Sequence, residues 1–208
     1  MGKGGRNARA SVVIHPEAFE GDDAQIAIRA RDGDASAKAA LYRRYASYVA
    51  RILVRVLGHD RDLDDLIQEV FAEVFAGLPQ LREPGMLKGW ISRIAVHRAQ
   101  KAIRKRQRWR WIVFWPHDEI ETAHHSDEEL GAAARQTYRL LDALPLDERT
   151  VFCLRFVEGM ELHEVAVATD VSLATVKRRI QRAKDSFLAL ARGVPELEAW
   201  TRSGGDAP

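Results

Sequence analysis

An apolar residue recurs at every third or fourth position between Leu63 and Leu78, the most regular pattern in the chain. This spacing places the apolar side chains on one face of an α-helix that covers roughly residues 61–78. Helical periodicity continues through most of the chain, whereas strand-type alternation and proline are scarce, so the sequence predicts an all-α fold. The predicted buried face of this helix consists of Leu63, Leu66, Ile67, Val70, Phe71, Val74, Phe75 and Leu78.

The opposite face of the same predicted helix is acidic. Such a face repels DNA and attracts a basic or polar protein surface, so it predicts a docking site for another protein. A metal site is the alternative interpretation, but no second cluster with ligand spacing supports it. The polar residues of this face are Asp64, Asp65, Gln68, Glu69 and Glu73.

Three more helices are predicted in the first half, at about 24–31, from Asp34 or Ser36 to near Gly58, and at about 86–106. The third is basic: nine Lys or Arg residues lie between Lys88 and Arg110, without an acid. A field of one sign is typical of a nucleic-acid surface. The apolar seam expected on this helix is Trp90, Ile91, Ile94, Ala95, Ala102 and Ile103.

The basic segment ends in an aromatic run, from Trp109 to Trp115. Aromatic side chains beside arginines stack on unpaired bases, which is one interpretation. Packing of these rings onto the helical core is the other, and the residues alone favour neither.

The charge reverses in residues 116–129, which contain six acids and no Lys or Arg. This composition predicts a flexible interdomain linker, able to fold back on the basic surfaces around 104–110 or 177–182. The pair His124-His125 lies here and is interpreted as solvated rather than metal-binding. Ser126 and Glu129 form a capping-box pattern that predicts a helix reaching Leu144, and a further helix is expected over 147–157.

Residues 161–187 predict two helices around a tight turn, with Ser172 capping the second. The second helix has cations on the side away from its seam, which suits a recognition helix in a major groove. A solvated basic face on an ordinary helical hairpin is the alternative. The expected seam is Leu173, Val176, Ile180, Ala183 and Phe187, and the basic residues are Lys177, Arg178, Arg179, Arg182 and Lys184.

The composition fits one or two small domains, because 46% of the 208 residues are hydrophobic. The net charge of +2 averages over segments of opposite sign. The single cysteine, Cys153, lies in an apolar run and is predicted to be a buried thiol. No apolar run approaches the roughly 20 residues of a membrane span, and the basic start has no signal-peptide core, so a cytoplasmic protein is expected.

We therefore expect a flexible basic arm at 1–21, a helical domain at 22–115, an acidic linker at 116–129, a second helical domain at 130–192 and a flexible tail at 193–208. With this order of domains the chain resembles the extracytoplasmic-function (ECF) sigma factors, which are two-domain bacterial initiation factors. The resemblance covers roughly 22–190 and rests on the order and spacing of three segments. These are DLIQEVF at Asp65–Phe71, WISRIA at Trp90–Ala95 with the basic residues after it, and Leu144-Pro145 through Lys184.

The resemblance implies binding to core RNA polymerase, at the clamp helices of its largest subunit and at its beta flap, and to promoter DNA. It also implies an anti-sigma inhibitor, but no catalytic residue, cofactor or metal. The implied polymerase-binding residues are Asp64, Asp65, Gln68 and Glu69. Those for the minus-ten element are Arg93, His97, Lys101, Arg104 and Lys105, and those for the minus-thirty-five element are Ser172, Thr175, Lys177, Arg178, Arg179 and Arg182.

The chain departs from the family pattern at four positions. His97 stands where Asn is usual and Lys101 where an acid is frequent, so an unusual minus-ten preference is expected. Glu161 replaces a common Ser cap, and Asp170 occupies a turn position where Gly is frequent. We expect a modest loss of stability but an intact helix after Glu161, and Asp170 can adopt the left-handed geometry, although less readily than Gly.

Two other classes of protein can carry a basic helix-turn-helix pattern. An autonomous helix-turn-helix regulator would not need the uninterrupted basic stretch from Lys88 to Arg110. A nucleic-acid enzyme would need an acid-base or metal constellation, and the sequence offers none.

Overall fold

The structure is a computed structural model that describes residues 21–57, 62–112, 137 and 139–192, with side chains described to residue 106 in the second range. These ranges contain helices and turns but no strand, which confirms the all-α prediction. The predicted arm, the acidic linker with its histidine pair, the Ser126 cap, the aromatic side chains of 109–115 and the tail lie outside the described residues.

Four helices form the N-terminal half: α1 (Asp23–Arg31), α2 (Ala35–Leu57), α3 (Leu63–Gly77) and α4 (Leu87–Ile112). A capping box starts α1, since the Gln25 amide donates to Asp22 Oδ1 at 2.8 Å and the Asp22 amide donates to Gln25 Oε1 at 3.3 Å. The Asp34 carboxylate accepts from the amides of Ser36 and Ala37 where α2 begins. Two 3₁₀ turns, Leu78–Gln80 and Pro84–Met86, connect α3 to α4.

The predicted buried face of α3 is confirmed. Leu66, Val70, Phe71, Val74 and Leu78 are buried, and Leu63, Ile67 and Phe75 are partly buried against the same core. Gly77 allows α3 to end close to α4, because a Cβ there would lie 2.8 Å from the Trp90 ring. The core of this half is built from α2, α3 and α4, with Leu41, Ile52, Val70, Leu78 and Ile91 fully or almost fully buried.

The C-terminal half contains α5 (Leu146–Phe152), α6 (Leu162–Thr169) and α7 (Leu173–Ala191), with helical backbone before them at 139–142. The helix expected at 147–157 instead widens after Phe152 into a π-helical turn over Cys153–Val157. Gly159 follows with a φ of +74°, a left-handed geometry that glycine adopts without strain. A second small core joins Leu141, Leu144, Phe152, Cys153, Ala183, Phe187 and Ala191.

The two halves pack directly on each other through α4. Beyond the predicted seam, Ser92, Val96 and Ala99 of α4 are also buried. On this side α6 packs on α4, so closely that a Cβ at Gly89 would lie 3.0 Å from Val167 Cγ1, while the Ser92 hydroxyl lies 2.8 Å from the Tyr48 hydroxyl of α2. One continuous cluster of buried residues therefore includes Ile91 of α4 as well as Val165 of α6. No helix in the described ranges has the length and apolarity to cross a bilayer.

The structure predicts that Cys153 is chemically inert in the folded chain. The side chain is buried, and burial raises the pKa of its thiol to about 11, so little thiolate exists at pH 8. We expect iodoacetamide to react at least about 100-fold more slowly with the native protein than with the protein in denaturant. Equal rates in the two states would contradict the buried position.

Candidate nucleic-acid and polymerase surfaces

The acidic face of α3 divides into a free part and a paired part. Asp64, Asp65 and Gln68 are exposed to solvent. The Arg98 guanidinium of α4 donates to the carboxylates of Glu69, at 3.1 Å, and Glu73. The part of this face that is available for docking therefore centres on the first turns of α3. Glu69 also takes part in the ion pair that joins α3 to α4.

The minus-ten candidates follow one side of α4. They recur at steps of three and four and are all exposed, so the helix presents them together. The row consists of Arg93, His97, Lys101, Arg104 and Lys105.

Two residues of this row contact acids of the C-terminal half. Arg93 Nη1 lies 3.7 Å from Asp170 Oδ1, and Arg104 Nη2 lies 3.9 Å from Asp147 Oδ1. These acids lie at the end of α6 and in the first turn of α5. One edge of the basic row thus faces the C-terminal half, and His97, Lys101 and Lys105 continue along the open side.

The start of α6 is intact without a serine cap, as expected. The Glu161 amide donates to a carboxylate oxygen of Glu164 at 2.8 Å. This backbone hydrogen bond, together with the hydrogen bond that the Lys88 side chain donates, holds the pKa of Glu164 below its ordinary value despite partial burial. A carboxylate one turn later thereby satisfies a helix-end donor.

The turn between α6 and α7 uses the left-handed geometry expected of Asp170, with φ 55° and ψ 42°. Ser172 then caps α7, because the Thr175 amide donates to its Oγ at 3.2 Å. Its hydroxyl also lies 3.0 Å from Thr175 Oγ1. Both polar side chains at the tip of α7 are therefore engaged with each other in this structure.

The seam of α7 begins one turn later than predicted. Val176, Ile180, Ala183 and Phe187 are buried, but Leu173 is 43% exposed. The prediction for Leu173 is wrong because this residue stands at the first position of the helix, ahead of the turns that pack on α5 and α6.

The basic side of α7 is uneven. Lys177, Arg178 and Arg182 are exposed, whereas Arg179 Nη2 donates to Asp147 Oδ2 at 2.5 Å and is only 24% exposed. Lys184 is partly buried with its ammonium 5.0 Å from the centre of the Phe156 ring. Sequence reasoning missed Asp147, since a residue in the first turn of a separate helix gives no sign of its partner.

A cleft of about 460 Å³ separates α7 from the end of α4. Arg104 of α4 and three arginines of α7 line it, with Asp147 and Glu148 of α5 between them. The two basic surfaces of the chain thus border the same space. The α7 residues are Arg178, Arg179 and Arg182.

Comparison with known proteins places these surfaces in a family. The family model described as Sigma-70 region 2 matches residues 41–109, and that described as Sigma-70, region 4 matches residues 134–186. The ECF RNA polymerase sigma factor SigE of Mycolicibacterium smegmatis is 32% identical over 156 residues, which cover 71% of this chain and 58% of that protein. The ECF RNA polymerase sigma-E factor of Escherichia coli is 26% identical over 175 residues, which cover 76% and 88%.

The chain belongs to the ECF sigma factors. Solved structures agree on the fold: CnrH, in complex with the cytosolic domain of CnrY, superposes with a TM-score of 0.62 at 24% identity, over 83% of this chain and 98% of that one. The sigma factor RpoE of Bartonella quintana, in complex with the anti-sigma factor NepR, gives 0.57 at 18% identity, over 74% and 95%. The resemblance inferred from the residues is confirmed.

Within this sigma factor, α3 and the described side chains of α4 fall in the region 2 match, and α5, α6 and α7 as far as 186 fall in the region 4 match. The acidic face and the α4 row therefore belong to region 2. The α7 cations belong to region 4.

The cap contact predicts a structural role for Ser172 that is separable from DNA binding. Ser172→Ala should lower the free energy of unfolding by about 1 kcal/mol, because the Thr175 amide loses its acceptor. Ser172→Asp keeps an acceptor and should retain most of the stability. Urea denaturation of the three proteins checks this, and an alanine variant as stable as the parent would refute the cap.

Proposed function

We propose that the chain is an alternative sigma factor that binds bacterial core RNA polymerase and directs it to specific promoters. It would recognise the minus-ten and minus-thirty-five elements and initiate DNA opening. The observation that carries this proposal is the occurrence, in order, of both sigma regions, each presenting an exposed row of cations. An autonomous helix-turn-helix regulator has no use for the first of them.

Polymerase docking is assigned to the exposed part of the α3 face. Asp64, Asp65 and Gln68 sit opposite a helix side that is fully committed to the core, so they are presented rigidly. A rigid acidic patch is complementary to a basic or polar surface, such as the clamp helices of the polymerase largest subunit. Glu69 would contribute only by exchanging its Arg98 partner.

Promoter contacts are assigned to two helices. The α4 row, Arg93 to Lys105, would hold and open the minus-ten DNA. The hairpin α6–α7 would act as a helix-turn-helix that reads the minus-thirty-five element, with Arg178 and Arg182 free for base edges and Lys177 for phosphate. Arg179 would act through Asp147 rather than on DNA, while Ser172 and Thr175 stand at the N-terminal tip of α7, the end that contacts bases in such motifs.

The remaining assignments follow from the family. Two domains, 22–115 and 130–192, would be connected by a flexible linker at 116–129 and flanked by a loose arm and tail. The chain would work in the cytoplasm as an initiation factor, with the chemistry belonging to the polymerase and no cofactor of its own. The polymerase beta flap is a proposed second contact. An anti-sigma factor is a proposed inhibitor, as NepR is the anti-sigma factor in complex with RpoE of Bartonella quintana.

The direct experiment is transcription in vitro. Core polymerase lacking any sigma factor is mixed with the chain and genomic fragments, and the 5′ ends of the RNA are mapped. The proposal expects starts at a small set of promoters that share a minus-ten and a minus-thirty-five sequence. RNA with no preferred start would contradict it.

The docking assignment predicts a selective defect. Asp65→Ala with Gln68→Ala should weaken binding to core polymerase by at least about tenfold, because the removed groups form the exposed patch. Helix content and melting temperature should be unchanged, since neither side chain enters the core. Gln80→Ala with Glu83→Ala is a matched control, with exposed residues of similar type in the same domain. Equal binding of core polymerase by the two double variants would contradict the assignment of polymerase docking to the α3 face.

The recognition assignment predicts a difference between specific and general binding. Arg178→Ala or Arg182→Ala should cost about 1–3 kcal/mol on the correct promoter and little on random DNA if the arginine makes a bidentate base contact. Lys177→Ala should weaken binding to both DNAs alike, as a phosphate contact does. Uniform losses for all three variants, measured by fluorescence anisotropy on the two DNAs, would show that none reads bases.

A further inference from the structure

The two apolar residues at the N-terminal tip of α7, Leu173 and Ala174, are exposed, and we call them the apolar tip. Leu173 is 43% exposed, whereas Val176, less than one turn further along the helix, is fully buried. Within the described part of the chain, Leu173 belongs to neither of the two apolar clusters. Packing inside the protein therefore does not account for a leucine at this position.

The polar side chains beside the apolar tip are engaged within the protein. Ser172 Oγ accepts from the Thr175 amide at 3.2 Å, and the two hydroxyl oxygens lie 3.0 Å apart. One of the two hydroxyl protons is used in that contact, so the pair can donate only one further hydrogen bond. Side-chain hydrogen bonding from this end of α7 is thereby limited, and apolar contact is the other interaction that the end can offer.

The apolar tip is continuous with the basic side of α7. Lys177 and Arg178 are exposed and follow the tip by four residues, about one helical turn, so these side chains share one face. Cations on this face attract a polyanion such as DNA and repel a basic protein surface. The electrostatic argument that assigns the acidic face of α3 to a protein partner therefore assigns this face of α7 to DNA.

The major groove of DNA offers one apolar group that such a tip can contact. Thymine carries a C5 methyl group on its major-groove edge, and the other three bases lack this group. Residues at the N-terminal end of a recognition helix are those that reach base edges. Leu173 is the first residue of α7 and is therefore placed to meet a thymine methyl group.

We propose that Leu173 is a specificity-determining residue, which contacts the C5 methyl group of a thymine in the minus-thirty-five element, with Ala174 beside it. This rests on the proposed function, because it assigns a base contact to α7 as the recognition helix. One turn of α7 rises about 5.4 Å, which corresponds to about one and a half base pairs. The thymine is therefore expected within about two base pairs of the position that Arg178 contacts.

Replacement of thymine by deoxyuridine tests the proposal, because the exchange removes only the methyl group and leaves base pairing intact. The promoter mapped by transcription in vitro is prepared as a set of duplexes, each with one thymine of the minus-thirty-five element, on either strand, exchanged. The chain assembled with core polymerase is titrated against each duplex. Binding should weaken about fourfold at one position, the effect expected when an apolar group of this size is no longer buried.

The variant Leu173→Ala should bind the unmodified promoter at least about fourfold more weakly, and should no longer respond to deoxyuridine at that position. Such coupling between a side chain and a methyl group indicates a direct contact. Leu173→Met keeps an apolar side chain and should retain the response. Leu190→Ala is the matched control and should behave as the parent, because Leu190 is 42% exposed near the other end of the same helix.

Both alanine variants should melt at the temperature of the parent, since neither leucine is buried. A parent that binds every deoxyuridine duplex as tightly as the unmodified promoter would overturn the proposal. So would a Leu173→Ala variant that keeps the methyl response, including one that only binds core polymerase more weakly, because Leu173 would then face the polymerase. Absence of specific starts would refute the proposed function and this proposal with it, whereas specific starts without a methyl response would refute this proposal alone.

Discussion

The structure depends on one helix that is packed on two sides. One side of α4 completes the N-terminal core through residues such as Ile91 and Ala95, and a second side receives α6 at Gly89. Only the remaining strip of α4 is exposed to solvent, and it carries the basic residues from Arg93 to Lys105. Because both halves of the chain use α4 as a packing surface, its charged strip is fixed in position relative to each of them.

The two kinds of contact at this helix have different consequences. Burying an aliphatic side chain contributes about 1.5–3 kcal/mol, whereas an exposed ion pair contributes about 0–1 kcal/mol. Apolar packing around Val165 and Gly89 therefore accounts for most of the association between the halves. The ion pairs add little to this association and are screened by salt.

Local sequence patterns predicted the parts of the fold that local physics determines. The seam of α3, the left-handed Asp170 and the Ser172 cap follow from spacing and side-chain chemistry within a few residues. The close approach of α6 to α4 at Gly89 could not be predicted in this way, because the partner helix lies about 70 residues later in the chain. Asp147 was missed as the partner of Arg179 and Arg104 for the same reason.

The central claim is that α4 lies between the two halves of the chain and joins them through apolar packing. The distance between spin labels at Arg43→Cys on α2 and Gln181→Cys on α7 tests it, since both positions are exposed and Cys153 is buried. Pulsed electron–electron double resonance should give one narrow distribution of distances for the free chain, because the two halves share one buried cluster. A broad distribution, as two halves that move independently would give, would contradict the account.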